Sequence, residues 1–238
     1  MDLKIEELDY RDTPLGELIL RRRRSVQLEG VDIYEVKLGD YYLMSSLFYE
    51  SEVQLARLGL GCLEGKDLDV LVGGLGLGYT ALTALEDSRV NSLVVVEYME
   101  AVIEWHRNGL VPLGNEICAD PRCRLVQGDF FARSRDMATG FDPKESGRKF
   151  DAILLDIDHT PTHVLNQTNT RFYTKEGLTE LASHLKPGGV FALWSDDEPD
   201  DRFTAHLGTV FNDARAHLVD FYNPFTGENC GNTVYTAR

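Results

Sequence analysis

No apolar run in these 238 residues approaches the ~20 needed to cross a bilayer, so a membrane partner is not expected. Basic charge is short: 24 Lys and Arg stand against 39 Asp and Glu, a net charge of −15. A nucleic-acid backbone needs a basic face, and this balance argues against one. Arg21 to Arg24 make the only basic run, and four arginines in a row read as an exposed edge strand or turn blunted by charge. Cysteine is scarce too. Cys62, Cys118, Cys123 and Cys230 fit no zinc spacing, which leaves free structural thiols and no expected metal. Internal repeats and low-complexity tracts are missing. The opening residues, Met-Asp-Leu-Lys-Ile-Glu-Glu-Leu-Asp, lack the charged-then-apolar plan of a signal peptide, and a cytoplasmic location is expected.

What is present has two textures. Residues 1–62 carry β-formers around Leu15 to Leu20, Val31 to Val36 and Tyr41 to Met44, with Gly30 and Gly39-Asp40 as turns. This predicts a small antiparallel β unit, linked onward by an amphipathic helix over 48–60. From residue 63 to 238 strands and helices alternate, with strands expected near 68–73, 92–97, 123–127, 151–156 and 188–194. Helices are expected near 78–86, 99–109, 172–185 and 202–215. That alternation predicts an α/β domain with a mostly parallel, doubly wound sheet. The tail, over 217–222 and 232–237, predicts an antiparallel hairpin closing the sheet. The polar stretch 133–149 is long for a βα connection and reads as either a lid or a surface excursion.

The most informative segment is Val70-Leu-Val-Gly-Gly-Leu-Gly-Leu-Gly78, where an apolar strand runs into glycines and then a helix. Glycine allows a sharp turn and close approach of a ligand to the backbone, and the helix beyond offers unpaired N–H groups. Nineteen residues past Gly78 the next strand ends in Glu97, where a nucleotide-binding βαβ unit places the acid that holds ribose hydroxyls. Ligands in such sheets sit beyond the carboxyl ends of the strands. The other strand ends are polar as well: Asp129 after Gln127-Gly128, Asp156 with Asp158 and His159 behind it, and Trp194-Ser195-Asp196. Asp129 can accept from an adenine amine or cap a helix. Asp156, beside Leu154, Leu155 and Ile157, is the candidate for chemistry, since desolvation moves a carboxyl pKa toward a useful range. Asp158 and His159 are alternative acid–base partners.

These segments, with Asp120-Pro-Arg-Cys-Arg-Leu-Val-Gln-Gly-Asp129, Phe150-Asp-Ala-Ile-Leu-Leu-Asp156, Phe172-Tyr173 and Leu185-Lys-Pro-Gly-Gly-Val-Phe-Ala-Leu193, resemble the polyamine aminopropyltransferases, the spermidine synthases. That family lies within the Rossmann-like class I fold of S-adenosylmethionine-dependent methyltransferases. The resemblance runs from about residue 40 to the end. It implies that Gly74, Gly76, Gly78, Glu97 and Asp129 bind an adenosyl sulfonium, either S-adenosylmethionine or its decarboxylated form. It also implies that Asp156 is catalytic and that Glu52, Asp156 and Tyr173 meet a small-molecule acceptor; a homodimer is left open.

Three departures stand out. The family's first loop reads Gly-Gly-Gly-Asp-Gly-Gly, and Gly76 replaces its aspartate. Asp-Ser-Ser-Asp has become Asp156-Ile-Asp-His159, and Tyr-His-Glu has become Glu50-Ser-Glu52. An aspartate at 76 suits the cationic amine of the decarboxylated donor and repels the carboxylate of intact S-adenosylmethionine. Its loss makes methyl transfer the expected reaction, with aminopropyl transfer as the alternative and a non-catalytic nucleoside-binding or partner role as the third reading.

Overall fold

The computed structural model describes residues 5–238, which build two sheets. The first is antiparallel and ordered β1 (Ile5–Thr13), β2 (Gly16–Ser25), β3 (Val31–Leu38), β4 (Tyr41–Ser45). Its arginine run is a finding against expectation, because β2 is an interior strand paired on both sides. Strand alternation puts Arg21 and Arg23 on one face and Arg22 on the other. Both Arg21 and Arg23 donate to the buried Glu35 carboxylate at 2.7 Å, and Arg22 reaches Glu6 of β1 at 2.6 Å. Cross-strand acids neutralise the run, so it needs no edge position.

Helix α1 (Glu50–Gly61) leads into the second sheet. There follow β5 (Leu68–Gly73), α2 (Tyr79–Glu86), β6 (Val90–Glu97), α3 (Glu100–Arg107), α4 (Gly114–Ala119), β7 (Cys123–Gln127), α5 (Phe130–Arg135) and β8 (Phe150–Leu155). A 3₁₀ turn, Gln167–Tyr173, precedes α6 (Lys175–Ala182), β9 (Leu185–Ser195), α7 (Asp201–Leu207), β10 (Arg215–Asn223) and β11 (Glu228–Ala237). The predicted helix over 202–215 stops early, at Leu207, with Gly208 as its cap, and β10 takes up its last residue. The one predicted over 172–185 is split by Thr174, whose hydroxyl accepts from Gly177 N and starts α6.

The seven strands run β10-β11-β9-β8-β5-β6-β7, with β9, β8, β5, β6 and β7 parallel and the β10–β11 hairpin antiparallel at one edge. Strands β5, β6 and β8 are apolar on both faces because helices cover both. On one side, Leu18, Leu20 and Val36 of the small sheet join Leu55, Leu60 and Val72 in a continuous core. On the other side lies an aromatic layer including Phe130, Phe141, Phe172 and Phe191. Chain order reverses between β5 and β8, and the crevice at that switch point is where an open α/β sheet binds ligands. Among the described residues no helix is long and apolar enough to cross a membrane.

The 133–149 stretch is fastened at the opposite end of the strands. Asp142, fully buried, accepts from Arg148 at 2.9 Å and from Arg124, and Arg148 also reaches Asp69 at 2.7 Å. Lys186 bridges Asp69 and Asp151 at 2.7 and 2.8 Å. With Phe141 buried in the core beside this network, the stretch is a pinned surface excursion and not a lid.

Candidate active site

The cavity beyond the carboxyl ends of β5, β6, β7 and β8 is shaped first by backbone. Asp156 N donates to Gly73 O at 2.8 Å and Gly74 N to Val96 O at 2.9 Å, which brings three strand ends together. A Cβ on Gly74 would lie 2.0 Å from Asp156 O, and φ there is +91°, so only glycine fits. A Cβ on Gly78 would meet Ile117 at 2.4 Å and His106 at 2.9 Å. Gly76, at φ +50°, points its missing Cβ at Met44 Sδ, 2.8 Å away. Met44 is itself a cavity wall. The small sheet thus fills the volume that an acidic side chain at 76 would need.

Glu97 is buried and braces this loop. Its Oε2 accepts from Leu75 N at 2.9 Å and its Oε1 from Met99 N at 2.8 Å. Burial raises its pKa, opposed by the backbone N–H groups. Each oxygen keeps a lone pair, and the residue still lines the cavity. Asp129 also lines it and caps α5, accepting from Ala132 N at 3.0 Å. Both roles weighed for Asp129 are therefore open to it.

The other end of the cavity is built from side chains that are far apart in sequence. Glu52 projects from the first turn of α1 and Asp156 from the tip of β8; both line the wall with Tyr79, His159 and Trp194. Thr80 Oγ1 lies 2.8 Å from Asp156 Oδ2 and 3.3 Å from Glu52 O, tying α2 to both. Burial, and then the Asp156 charge, push the Glu52 carboxyl up to about 8. Burial likewise pushes Asp156 up to about 6, against the Thr80 hydroxyl and with help from the Glu97 charge.

Asp158 and Tyr173 are not brought to the cavity. The Asp158 carboxylate is buried and accepts from Leu165 N at 2.7 Å, Asn169 Nδ2 at 2.9 Å and Tyr173 OH at 2.9 Å. With its acceptor sites filled by three donors, this acid shapes the 158–173 segment. That segment reaches the cavity through His159, Leu165, Asn166 and Asn169. The sequence reading also missed Thr80, Ser51 and Met44. Ser51 shows nothing between two glutamates, and Met44 sits in another sheet. Thr80, two residues past the last loop glycine, was the one with a local signal.

Known proteins share this fold. No family model matches the chain. Over 123 residues it is 28% identical to a polyamine aminopropyltransferase of Pyrobaculum islandicum, a match covering 51% of this chain and 39% of that relative. A crystal structure of spermidine synthase in complex with the transition-state analogue AdoDATO superposes with a TM-score of 0.74 at 18% identity, covering 99% of this chain and 74% of the other. In fold the chain is similar to spermidine synthase. Spermidine synthase from Thermotoga maritima gives a TM-score of 0.73 at 18% identity, again over 99% and 74% of the two chains. Human methyltransferase-like protein 13, in complex with SAH, matches more weakly, with a TM-score of 0.52 at 22% identity over 79% and 78% of the two chains. The expected Rossmann-like methyltransferase fold with a small N-terminal sheet is thus found, and the spermidine synthase structures cover both sheets of this chain.

Proposed function

We propose that this protein transfers an aminopropyl group from decarboxylated S-adenosylmethionine to an amine acceptor. The observation that carries the reading is the Glu52–Asp156 pair, two buried carboxyl groups on the cavity wall, both held above their ordinary pKa by burial. A cationic amine relieves their mutual repulsion, whereas the carboxylate of intact S-adenosylmethionine adds to it. The likeness to a polyamine aminopropyltransferase supports the same choice. Together these outweigh the acid missing at position 76 and move the preference away from methyl transfer.

The residues present fit an adenosyl donor. The glycine loop leaves the backbone open to it, Glu97 keeps lone pairs for two ribose hydroxyls, and Asp129, on the cavity wall, is the acceptor proposed for the adenine amine. When bound, the donor supplies a carbon made electrophilic by its sulfonium sulfur. The chain orients an amine nitrogen toward that carbon, excludes water with Met44, Tyr79 and Trp194, and takes one proton from the nitrogen onto the Asp156 carboxylate. The new N–C bond replaces the S–C bond, whose electron pair returns to sulfur and leaves a neutral thioether. Methyl transfer remains the second reading, favoured by the absence of an acid in the Gly74–Gly78 loop. Calorimetry with S-adenosylmethionine, its decarboxylated form and methylthioadenosine separates them. We expect the decarboxylated donor to bind at least about tenfold more tightly than the intact one, about 1.4 kcal/mol. A preference for the intact donor overturns the proposal in favour of methyl transfer.

A further inference from the structure

Behind Glu52 lies a polar network whose serine hydroxyl and asparagine amide the proposed reaction does not use. Ser51 is buried, and its Oγ accepts from Trp194 Nε1 at 2.8 Å. The same hydroxyl lies 2.9 Å from Glu52 Oε2 and 3.0 Å from Asn232 Oδ1. A hydroxyl carries one proton, so it can satisfy only one of these two acceptors at a time. Asn232 cannot escape by turning its amide over. Its Nδ2 donates to Asp196 Oδ1 at 2.9 Å and lies 3.3 Å from Asp196 O, and the reversed amide would set oxygen against two oxygens. Asn232 is buried in β11, so an unpaired Oδ1 there is costly.

We propose that Ser51 is a positioning residue whose single proton is shared between Glu52 and Asn232, so that Asn232 helps decide when Glu52 is ionised. With Glu52 protonated, its O–H donates to Ser51 Oγ, and Ser51 donates to Asn232; every group is satisfied. With Glu52 ionised, Ser51 turns its proton to the carboxylate, and Asn232 Oδ1 loses its donor. The Ser51–Asn232 bond therefore favours the neutral carboxyl, in the same direction as burial and the Asp156 charge. Around Glu52 stand Asp156 from the tip of β8, Tyr79 on α2, Glu50 on its own helix and His159 across the cavity, with Asp196 reached only through Asn232. On the reading of this end as an amine site, an arriving ammonium drives the Glu52 proton to solvent and swings Ser51 from Asn232 to Glu52. Affinity for a cation then depends on a residue that never touches it.

The test is a side-chain carboxyl carbon-13 NMR titration of the ligand-free full chain, with Glu52 assigned by the signal lost in Glu52→Gln. Asn232→Leu removes the competing acceptor and should lower the Glu52 midpoint by about half a pH unit or more. Asn232→Ala serves as a second variant should leucine disturb the fold. In a Ser51→Ala background the same substitutions should leave the midpoint in place, and Ser51→Thr should restore the response. An unchanged midpoint in the Asn232 variants, or an equal shift with and without the Ser51 hydroxyl, overturns the proposal. Since no donor is added, failure of the decarboxylated donor to bind would sink the functional reading and leave this titration as it is.

Discussion

The two ends of the cavity are built by different means. The end proposed for the adenosyl donor is built from main chain: glycines that let three strand ends converge, and a glutamate whose oxygens are held by Leu75 N and Met99 N. The end proposed for the amine is built from side chains on α1, α2, β8 and β9, which the chain visits between residues 52 and 194. The first kind of site tolerates little change, because backbone cannot move without moving the sheet. The second can be retuned one residue at a time, and this chain departs there from the spermidine synthase motifs at Ser51 and His159, against Gly76 alone in the loop.

The sharpest way to break that contrast is Asp156→Asn. It keeps shape and most hydrogen bonding yet cannot take a proton as a carboxylate does. Turnover with a verified acceptor should fall by about 10²-fold or more, while methylthioadenosine affinity and melting temperature stay close to wild type. A loss of thioether affinity equal to the loss of turnover would show the two ends to be one unit.

At the other end, Glu97→Ala should weaken binding of methylthioadenosine by about 1.5–3 kcal/mol. It should also lower the melting temperature, because two backbone N–H groups lose their acceptor. Binding reduced with no change in melting would mean that the carboxylate serves the ligand alone and does not brace the loop.

The smallest effect is a pH signature. Folding raises the Glu52 carboxyl from its ordinary 4.5 to about 8, so the folded state binds the proton more tightly than the unfolded chain. Its stabilising contribution is full below pH about 4.5 and is lost as pH rises toward 8. Glu52→Gln should therefore match wild type in melting temperature at acid pH and exceed it above pH 8, by about 2–4 °C for each kcal/mol recovered. A variant equally stabilised at both extremes would show that packing, and not charge, limits this end.

Sequence alone determined the order of β5 to β9, the glycine loop, and the acids Glu97, Asp129 and Asp156 at strand ends, because each is a local matter. Apolar runs make strands, a missing Cβ makes a turn, and a strand end points its side chain into the crevice. Tertiary structure decided the rest. Asp158, two residues from Asp156, reads as an equal partner in sequence, yet it faces the other way and collects donors from Leu165, Asn169 and Tyr173. The arginine run lies inside its sheet because acids on two neighbouring strands meet it. Glu52 gains its meaning from Asp156 and Ser51 gains its own from Trp194 and Asn232, partners up to 181 residues away. A pKa and a shared proton belong to a set of neighbours, and only the folded chain chooses them.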